Sequence, residues 1–134
     1  MASRKKKSRG FTLIELMIVI SMMLILVSIA IPAYNRSILH AKEGVLRQDL
    51  FTMRSLISQY TLDKQKAPES LEDLVTAGYV KQIPLDPFTG RNDSWTVDQE
   101  DYTLSVDTQD TSGIKDVHSG SSQVSTDGTA YSTW

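Results

Sequence analysis

The chain of 134 residues contains no cysteine, so no disulfide can stabilise it. Aromatic residues make up only 7% of the sequence, and a glycine-rich phosphate-binding motif is missing. The two histidines, His40 and His118, lack a nucleophile or paired base at a spacing typical of catalysis. These absences argue against an enzyme and leave a small protein that must close its fold by other means.

Positive charge is concentrated at the start of the chain and stops abruptly before a long apolar run. Five of the first nine residues are basic, and the 23 residues from Phe11 to Ala33 contain one full charge, Glu15. A helix of that length spans about 34 Å, enough to cross a hydrocarbon layer of roughly 30 Å. A carboxylate costs about 2.5–3.5 kcal/mol at the centre of such a layer and less near its edge, so Glu15 needs a partner or a function.

Three ordinary interpretations of this region remain open. A plain membrane anchor explains the length and the basic flank but not Glu15. A secretory signal peptide is suggested by Ser28-Ile29-Ala30, which would give a mature start at Ile31, although the apolar stretch is longer than the usual ~7–15 residues and is charged. A nucleic-acid-binding arm is disfavoured because the basic run adjoins a membrane span and fits the positive-inside rule.

The same region resembles the class III signal of type IV pilins and type II secretion pseudopilins. The resemblance is carried by the basic leader, Gly10, the sequence Phe11-Thr12-Leu13-Ile14-Glu15-Leu16, the apolar run and Pro32. It implies that a prepilin peptidase removes residues 1–10 by cutting between Gly10 and Phe11 and then methylates the amine of Phe11. It also implies that Glu15 pairs with the N-terminal ammonium of a neighbouring subunit in a homopolymer.

The charge balance is consistent with a leader that is removed. Loss of the five basic leader residues leaves 9 basic against 16 acidic residues, which changes the net charge from −2 to −7. A nucleic acid is therefore not expected as a partner. A basic flank on the cytoplasmic side predicts a single pass through the inner membrane, with the remaining chain in the periplasm.

Helical periodicity continues beyond Pro32, which predicts a kink rather than a helix end. Charged residues, Glu43 and Arg54 among them, lie mostly off an apolar stripe formed by Leu39, Leu46, Leu50, Met53, Ile57 and Tyr60. Pro68 disfavours helical geometry at the residue before it, so the helix is expected to end near Lys64. We predict a transmembrane and polymerisation helix over residues 11–33 and an amphipathic periplasmic spine over residues 34–65.

The remaining residues, 66–134, predict a small periplasmic domain. Ser70 is expected to cap a short helix that ends at Gly78. Residues 95–97 and 102–106 are rich in β-forming side chains and predict an antiparallel hairpin. The Ser/Thr/Gly-rich end is expected to be an ordered loop that packs its final aromatic residues. The predicted fold class is α+β, a pilin fold with one long N-terminal helix on a small C-terminal domain.

A second resemblance concerns three stretches of this domain, residues 67–74, 78–80 and 83–90. They are similar to the segment that follows the spine helix in major type II secretion pseudopilins, although Ala67 and Phe88-Thr89-Gly90 depart from that pattern. The resemblance implies a structural subunit of the periplasmic pseudopilus that drives type II secretion. The implied partners are minor pseudopilins, an inner-membrane platform with its assembly ATPase, and a secretin. The alternative is a type IV pilin or minor pilin for adhesion, motility or DNA uptake.

Major pseudopilins bind calcium in the loop after their strands, whereas major type IV pilins usually close this region with a disulfide. In a chain without cysteine the resemblance implies calcium as a cofactor. Asp116, Ser119 and Asp127 are the candidate ligands, with backbone carbonyls completing a shell of six to eight oxygens. The alternative is that these are ordinary turn residues, with Asp127-Gly128 forming a plain turn.

Overall fold

The computed structural model describes residues 10–101 and 112–134, except for the side chains of residues 100 and 101. The chain divides into two units, and the boundary in the sequence falls between Ile38 and Leu39. The first unit contains the apolar part of the long helix. The second, from Leu39 to Trp134, contains the hydrophobic core and is called the C-terminal domain below. The basic part of the expected leader, residues 1–9, lies outside the described residues.

Helix α1 extends from Leu13 to Lys64. It begins after Thr12 because the Thr12 hydroxyl accepts a hydrogen bond from the backbone N–H of Glu15, at 3.3 Å, which satisfies one of the free donors of the first turn. The helix continues through Pro32, as the periodicity predicts. A bend at Pro32 stays a prediction.

The apolar stripe of α1 forms one side of the core of the C-terminal domain. As predicted, its buried members are Leu46, Leu50, Met53, Ile57 and Tyr60. Fully burying a side chain of this size contributes about 1.5–3 kcal/mol. The placement of Glu43 off this stripe was wrong, because Glu43 is only 3% exposed and lies on the buried face of the helix.

Helix α2 extends from Leu71 to Thr76 and follows the N-cap residue Ser70, as predicted. The carboxylate of Asp73 accepts hydrogen bonds from the backbone N–H groups of Ser70 and Glu69, at 3.0 and 2.9 Å. These bonds satisfy donors that the helix start would leave free. The helix ends with Ala77 as its C-cap rather than Gly78, which follows with a left-handed φ of 83°.

Strands β1, Thr96–Asp101, and β2, Ser112–His118, form a two-stranded antiparallel sheet in which Thr96 faces His118. The first strand was expected from residues 95–97, and the antiparallel pairing of the α+β fold is confirmed. The expected second strand, residues 102–106, lies outside the described residues. Strand β2 occupies residues that the sequence suggested as part of a metal-binding loop. It is a strand because Ile114 and Val117 are buried in the core, 1% and 0% exposed.

The residues after β2, 119–134, are called the closing segment. Its backbone passes close to Ser94, since a Cβ atom added to Gly120 would lie 1.9 Å from the Ser94 carbonyl oxygen. Near the other end Tyr131 is fully buried, stacked on Phe88 at 3.8 Å between ring centroids and edge-on to Trp134 at 5.1 Å. The segment is therefore ordered and packed through its aromatic residues, as the sequence predicts.

Candidate functional site

The apolar half of α1 has the length and composition needed to cross a membrane. Its most apolar 18-residue window has a mean hydropathy of 2.7, and none of that window is buried within the structure. Long apolar side chains such as Leu13, Leu24 and Ile29 are 64–77% exposed. A continuous apolar surface of this kind needs lipid or another protein surface to cover it.

The two serine hydroxyls within this apolar helix bond to the helix itself. The hydroxyl of Ser21 donates to the Met17 carbonyl oxygen at 2.8 Å, and that of Ser28 donates to the Ile25 carbonyl oxygen at 2.7 Å. Serine hydroxyls that bond back to the preceding turn do not require water as a partner. These two serines therefore present no free hydroxyl donor to a hydrocarbon environment.

Gly10 and Phe11 precede the helix, and both are exposed. Among the described residues, a Cβ atom added to Gly10 would have no neighbour within 4 Å, so packing against them does not require glycine at this position. The carboxylate-bearing residue Glu15 is exposed in the first turn of α1, where the helix dipole favours negative charge. The expected cleavage bond is thus accessible, and Glu15 is available to a group from outside the chain.

A second polar centre lies in the C-terminal domain around the buried carboxylate of Glu43. One oxygen, Oε1, accepts hydrogen bonds from the backbone N–H of Thr126 at 2.8 Å and from the Tyr131 hydroxyl at 2.9 Å. The other, Oε2, accepts from the Thr126 hydroxyl at 2.8 Å. Burial alone would raise the pKa of Glu43, but these hydrogen bonds outweigh it and hold the pKa below its ordinary value.

The same contact changes the acidity of Tyr131. Its burial, followed by its hydrogen bond to the negative carboxylate of Glu43, raises the pKa of Tyr131 to about 12. The tyrosine therefore stays a neutral donor, and Glu43 stays a charged acceptor. Sequence analysis missed this centre, although one signal was present. Leu39 and Leu46 of the apolar stripe are seven positions apart, and Glu43 occupies the helical position between them that completes its four-three spacing.

Arg54 forms a third polar centre, one that joins α1 to the end of β2 and to the end of the closing segment. Its Nε donates to Asp116 Oδ1 at 2.5 Å, and its Nη2 donates to the backbone oxygens of Val117 and Trp134 at 3.0 and 2.7 Å. Burial would raise the pKa of Asp116, but Arg54 and the Val117 N–H hold it below its ordinary value. His118 completes this centre, with Nδ1 2.5 Å from the Trp134 oxygen and Nε2 3.2 Å from Asp98 Oδ2.

The three candidate calcium ligands have different side-chain partners in this arrangement. Asp116 contacts Arg54, whereas Asp127 Oδ2 lies 3.1 Å from Nη2 of Arg47 at an exposed position. The buried Ser119 hydroxyl donates to Asp86 Oδ2 at 2.5 Å and accepts from the Ser121 N–H at 3.1 Å. Among the side chains that the structure describes, which do not include those of residues 100 and 101, no group of three or more acidic, histidine or cysteine side chains could hold a metal ion. Calcium binding by Asp116, Ser119 and Asp127 stays a prediction.

Asp86 organises the loop within residues 83–90, one of the stretches that resemble major pseudopilins. It is fully buried, and its Oδ1 accepts a hydrogen bond from the Phe88 N–H at 2.8 Å while its Oδ2 accepts from Ser119. Gly90 closes the turn, with a left-handed φ of 70° and an N–H that donates to the Asp86 carbonyl oxygen at 2.8 Å. The Asp-Pro-Phe-Thr-Gly sequence is therefore a structural support for the closing segment.

Comparison with known proteins connects these features to one family. Residues 5–31 match the family model described as the prokaryotic N-terminal methylation motif. Type II secretion system core protein G of Klebsiella michiganensis is 30% identical over 103 residues, which cover 65% of this chain and 72% of that protein. Core protein G of Vibrio cholerae is 30% identical over 132 residues, covering 80% of this chain and 86% of that protein.

A type IV pilin is also similar, over a shorter stretch. The type IV major fimbrial protein FimA of Dichelobacter nodosus is 42% identical over 65 residues, which cover 48% of this chain and 41% of that protein. No solved structure matches the chain. The similarity to core protein G extends well beyond the N-terminal motif, over most of both proteins, and this chain therefore belongs to the type II secretion system core protein G family, the major pseudopilins.

Proposed function

We propose that this chain is the structural subunit of a periplasmic pseudopilus that drives type II protein secretion. The observation that carries the proposal is an exposed apolar helix with one carboxylate near its start, attached to a domain that has its own core. Such a helix can be covered by lipid in the membrane and by copies of itself in a filament. The names of the related core proteins G support this assignment, and the role is structural rather than catalytic.

Maturation begins at the bond between Gly10 and Phe11. A prepilin peptidase cuts after Gly10 and methylates the amine of Phe11, which the match to the N-terminal methylation motif supports. We assign the glycine to recognition by the peptidase rather than to packing, since no described residue restricts the space at this position. Cleavage creates a positive charge four residues before Glu15.

Assembly then brings that charge to the carboxylate of a neighbouring subunit. A carboxylate in an apolar environment is stabilised by an opposite charge at close range, and leaving either charge unpaired is costly. The pairing of Glu15 with the Phe11 amine of the next copy would set the axial register of the filament. The polymer core would consist of residues 11–33 from successive subunits.

The location and partners follow from this mechanism. The precursor crosses the inner membrane once, with its N-terminus in the cytoplasm and its C-terminal domain in the periplasm. A platform protein and a cytoplasmic assembly ATPase extract the subunit from the lipid and supply the energy. Minor pseudopilins begin the filament, which pushes folded exoproteins through an outer-membrane secretin.

A type IV pilin that serves adhesion, motility or DNA uptake is the second candidate, because the chain is 42% identical over 65 residues to a type IV major fimbrial protein, FimA. Deletion of the gene in its source bacterium separates the two. Loss of secretion, with exoproteins retained in the periplasm, supports the pseudopilus. Normal secretion with loss of surface fibres, twitching or DNA uptake would show that the chain is instead a type IV pilin.

Processing is tested on the membrane form of the same chain. Intact-mass analysis should show the loss of residues 1–10 and the addition of one methyl group at Phe11. Gly10→Val should leave an uncut precursor in the membrane, because a branched side chain does not fit a peptidase site that accepts glycine. Ser8→Val places the same valine side chain two residues earlier and should be cut normally. A mature chain that begins at Ile31 would instead identify a secretory signal peptide.

A further inference from the structure

We propose that Glu43 and Arg54 of helix α1 form a metal-independent clasp that holds the closing segment, residues 119–134, onto the C-terminal domain. The two residues are eleven positions apart, which is about three turns and 16 Å along the helix. Each contacts a different part of the segment, and Arg54 also holds the end of β2. The inference does not depend on whether the chain forms a filament.

Glu43 holds the segment at two points that lie five residues apart. Thr126 donates through both its backbone N–H and its hydroxyl, and Tyr131 donates through its hydroxyl. All three hydrogen-bond donors are neutral, and together they supply the hydrogen bonds that a buried carboxylate requires. The imidazole Nδ1 of His40 lies 3.6 Å from Oε2 and also favours the charged form of the carboxylate. Because Thr126 and Tyr131 follow Glu43 by 83 and 88 residues, these bonds connect distant parts of the chain.

Arg54 connects helix α1 to the end of β2 and to the last residue of the closing segment. One nitrogen contacts Asp116 in β2, and another contacts the backbone oxygens of Val117 and Trp134. The planar guanidinium can reach these acceptors at once because its donors are fixed in a fork. Arg47 adds a weaker contact, with its guanidinium 4.4 Å from the centre of the Trp134 ring.

The donor chemistry of the segment suits this clasp better than a bound ion. Calcium requires six to eight oxygens that are free to face it. Here the Asp116 carboxylate faces a guanidinium, and the Ser119 oxygen already donates one hydrogen bond and accepts another. Asp127 is exposed and faces Arg47. An ion shared by these three residues would compete with Arg54 for the Asp116 carboxylate and with the hydrogen bonds that Ser119 makes to Asp86 and Ser121.

The test uses the full-length mature chain in detergent, with its melting followed by tryptophan fluorescence, since Trp95 and Trp134 both lie in the C-terminal domain. Millimolar calcium, and then excess chelator, should leave the melting temperature unchanged. Glu43→Ala should lower it by on the order of 10 °C or more, because each kcal/mol corresponds to about 4–8 °C for a domain of this size. Glu43→Gln should have a smaller effect, since an amide oxygen can still accept from Thr126.

Two further variants keep the proposal testable if Glu43→Ala does not fold. Tyr131→Phe removes a single hydroxyl and should lower the melting temperature by several degrees. Asp127→Asn changes a candidate calcium ligand that the clasp does not use, and should lower it by no more than about 2–4 °C. A melting temperature that rises with calcium, falls with chelator and loses this response in Asp127→Asn would overturn the clasp. An unchanged melting temperature in Tyr131→Phe would do the same.

Discussion

Glu15 in the apolar segment, residues 11–33, and Glu43 in the C-terminal domain lie in opposite environments. In the domain, Glu43 is 3% exposed and receives three hydrogen bonds from the chain itself. In the apolar segment Glu15 is exposed, and so are the leucines and isoleucines around it. The domain satisfies its own buried charge, whereas the segment presents a charge and an apolar surface to whatever surrounds it.

This difference indicates where each region obtains its stability. The domain is stabilised by burial of side chains such as Leu46 and Val117, both fully buried, and by polar contacts within the chain. The apolar segment can gain comparable burial only from lipid or from other subunits. Variants in the two regions should therefore fail in different assays, the domain variants in folding and the segment variants in assembly.

The largest effect is expected for Glu15→Leu. The variant should insert into the membrane at least as well as the wild type, because a costly charge is removed. It should form no filaments, because the partner of the neighbouring amine is lost. Electron microscopy and shearing of assembled filaments measure the defect, while membrane fractionation measures insertion.

Ser21→Leu is the matched control for that experiment. It also replaces a polar side chain by leucine in the exposed apolar helix, but it leaves Glu15 in place. Filaments should persist in this variant. Normal filaments from Glu15→Leu would show that the carboxylate has no part in setting the register.

A smaller effect, on folding rather than assembly, is expected for Leu46→Ala. Leu46 is fully buried in the core, so its truncation to alanine should lower the free energy of unfolding by about 2–5 kcal/mol. Val45→Ala is its neighbour on the outer face, 51% exposed, and should change stability by no more than about 0.5 kcal/mol. Thermal unfolding of both variants in detergent provides the measurement, and equal losses would contradict the assignment of the buried face.

The smallest effect is expected from pH. The pKa of Glu43 is lowered in the folded chain. Its contribution to the free energy of unfolding is therefore present above the ordinary pKa of 4.5 and is lost as the pH falls through the folded pKa. The pKa of Tyr131 is raised from 10.0 to about 12, so its contribution is present below pH 10 and is lost as the pH rises towards 12. Between pH 10 and 12 the free energy of unfolding should fall by on the order of 2 kcal/mol.

Tyr131→Phe separates the two ends of that profile. It should remove much of the loss between pH 10 and 12 and retain the acid transition, since Thr126 still donates twice to Glu43. Melting temperatures measured across the pH range give the comparison. If the variant loses as much stability between pH 10 and 12 as the wild type, the loss comes from other tyrosines or lysines.

Local patterns in the sequence were sufficient for the elements whose partners lie nearby. The long helix, its buried stripe and the Ser70-capped helix α2 follow from spacing and capping within a few residues. Strand β2 was not foreseen, because Gly113 and Asp116 interrupt its apolar pattern and burial depends on the core beneath it. The polar contacts of Glu43 and Arg54 were missed for the same reason, since their partners are 62 to 88 residues away.

The serines of the apolar helix have a consequence for the passage of the subunit from membrane to filament. Since Ser21 and Ser28 donate to carbonyl oxygens of their own helix, neither side chain has to exchange a hydrogen-bond partner when lipid is replaced by protein. For these two side chains, lipid and protein are then nearly equivalent environments. Glu15 differs from them, because a carboxylate that is costly in lipid would gain a partner in the proposed filament, so this side chain would favour the transfer.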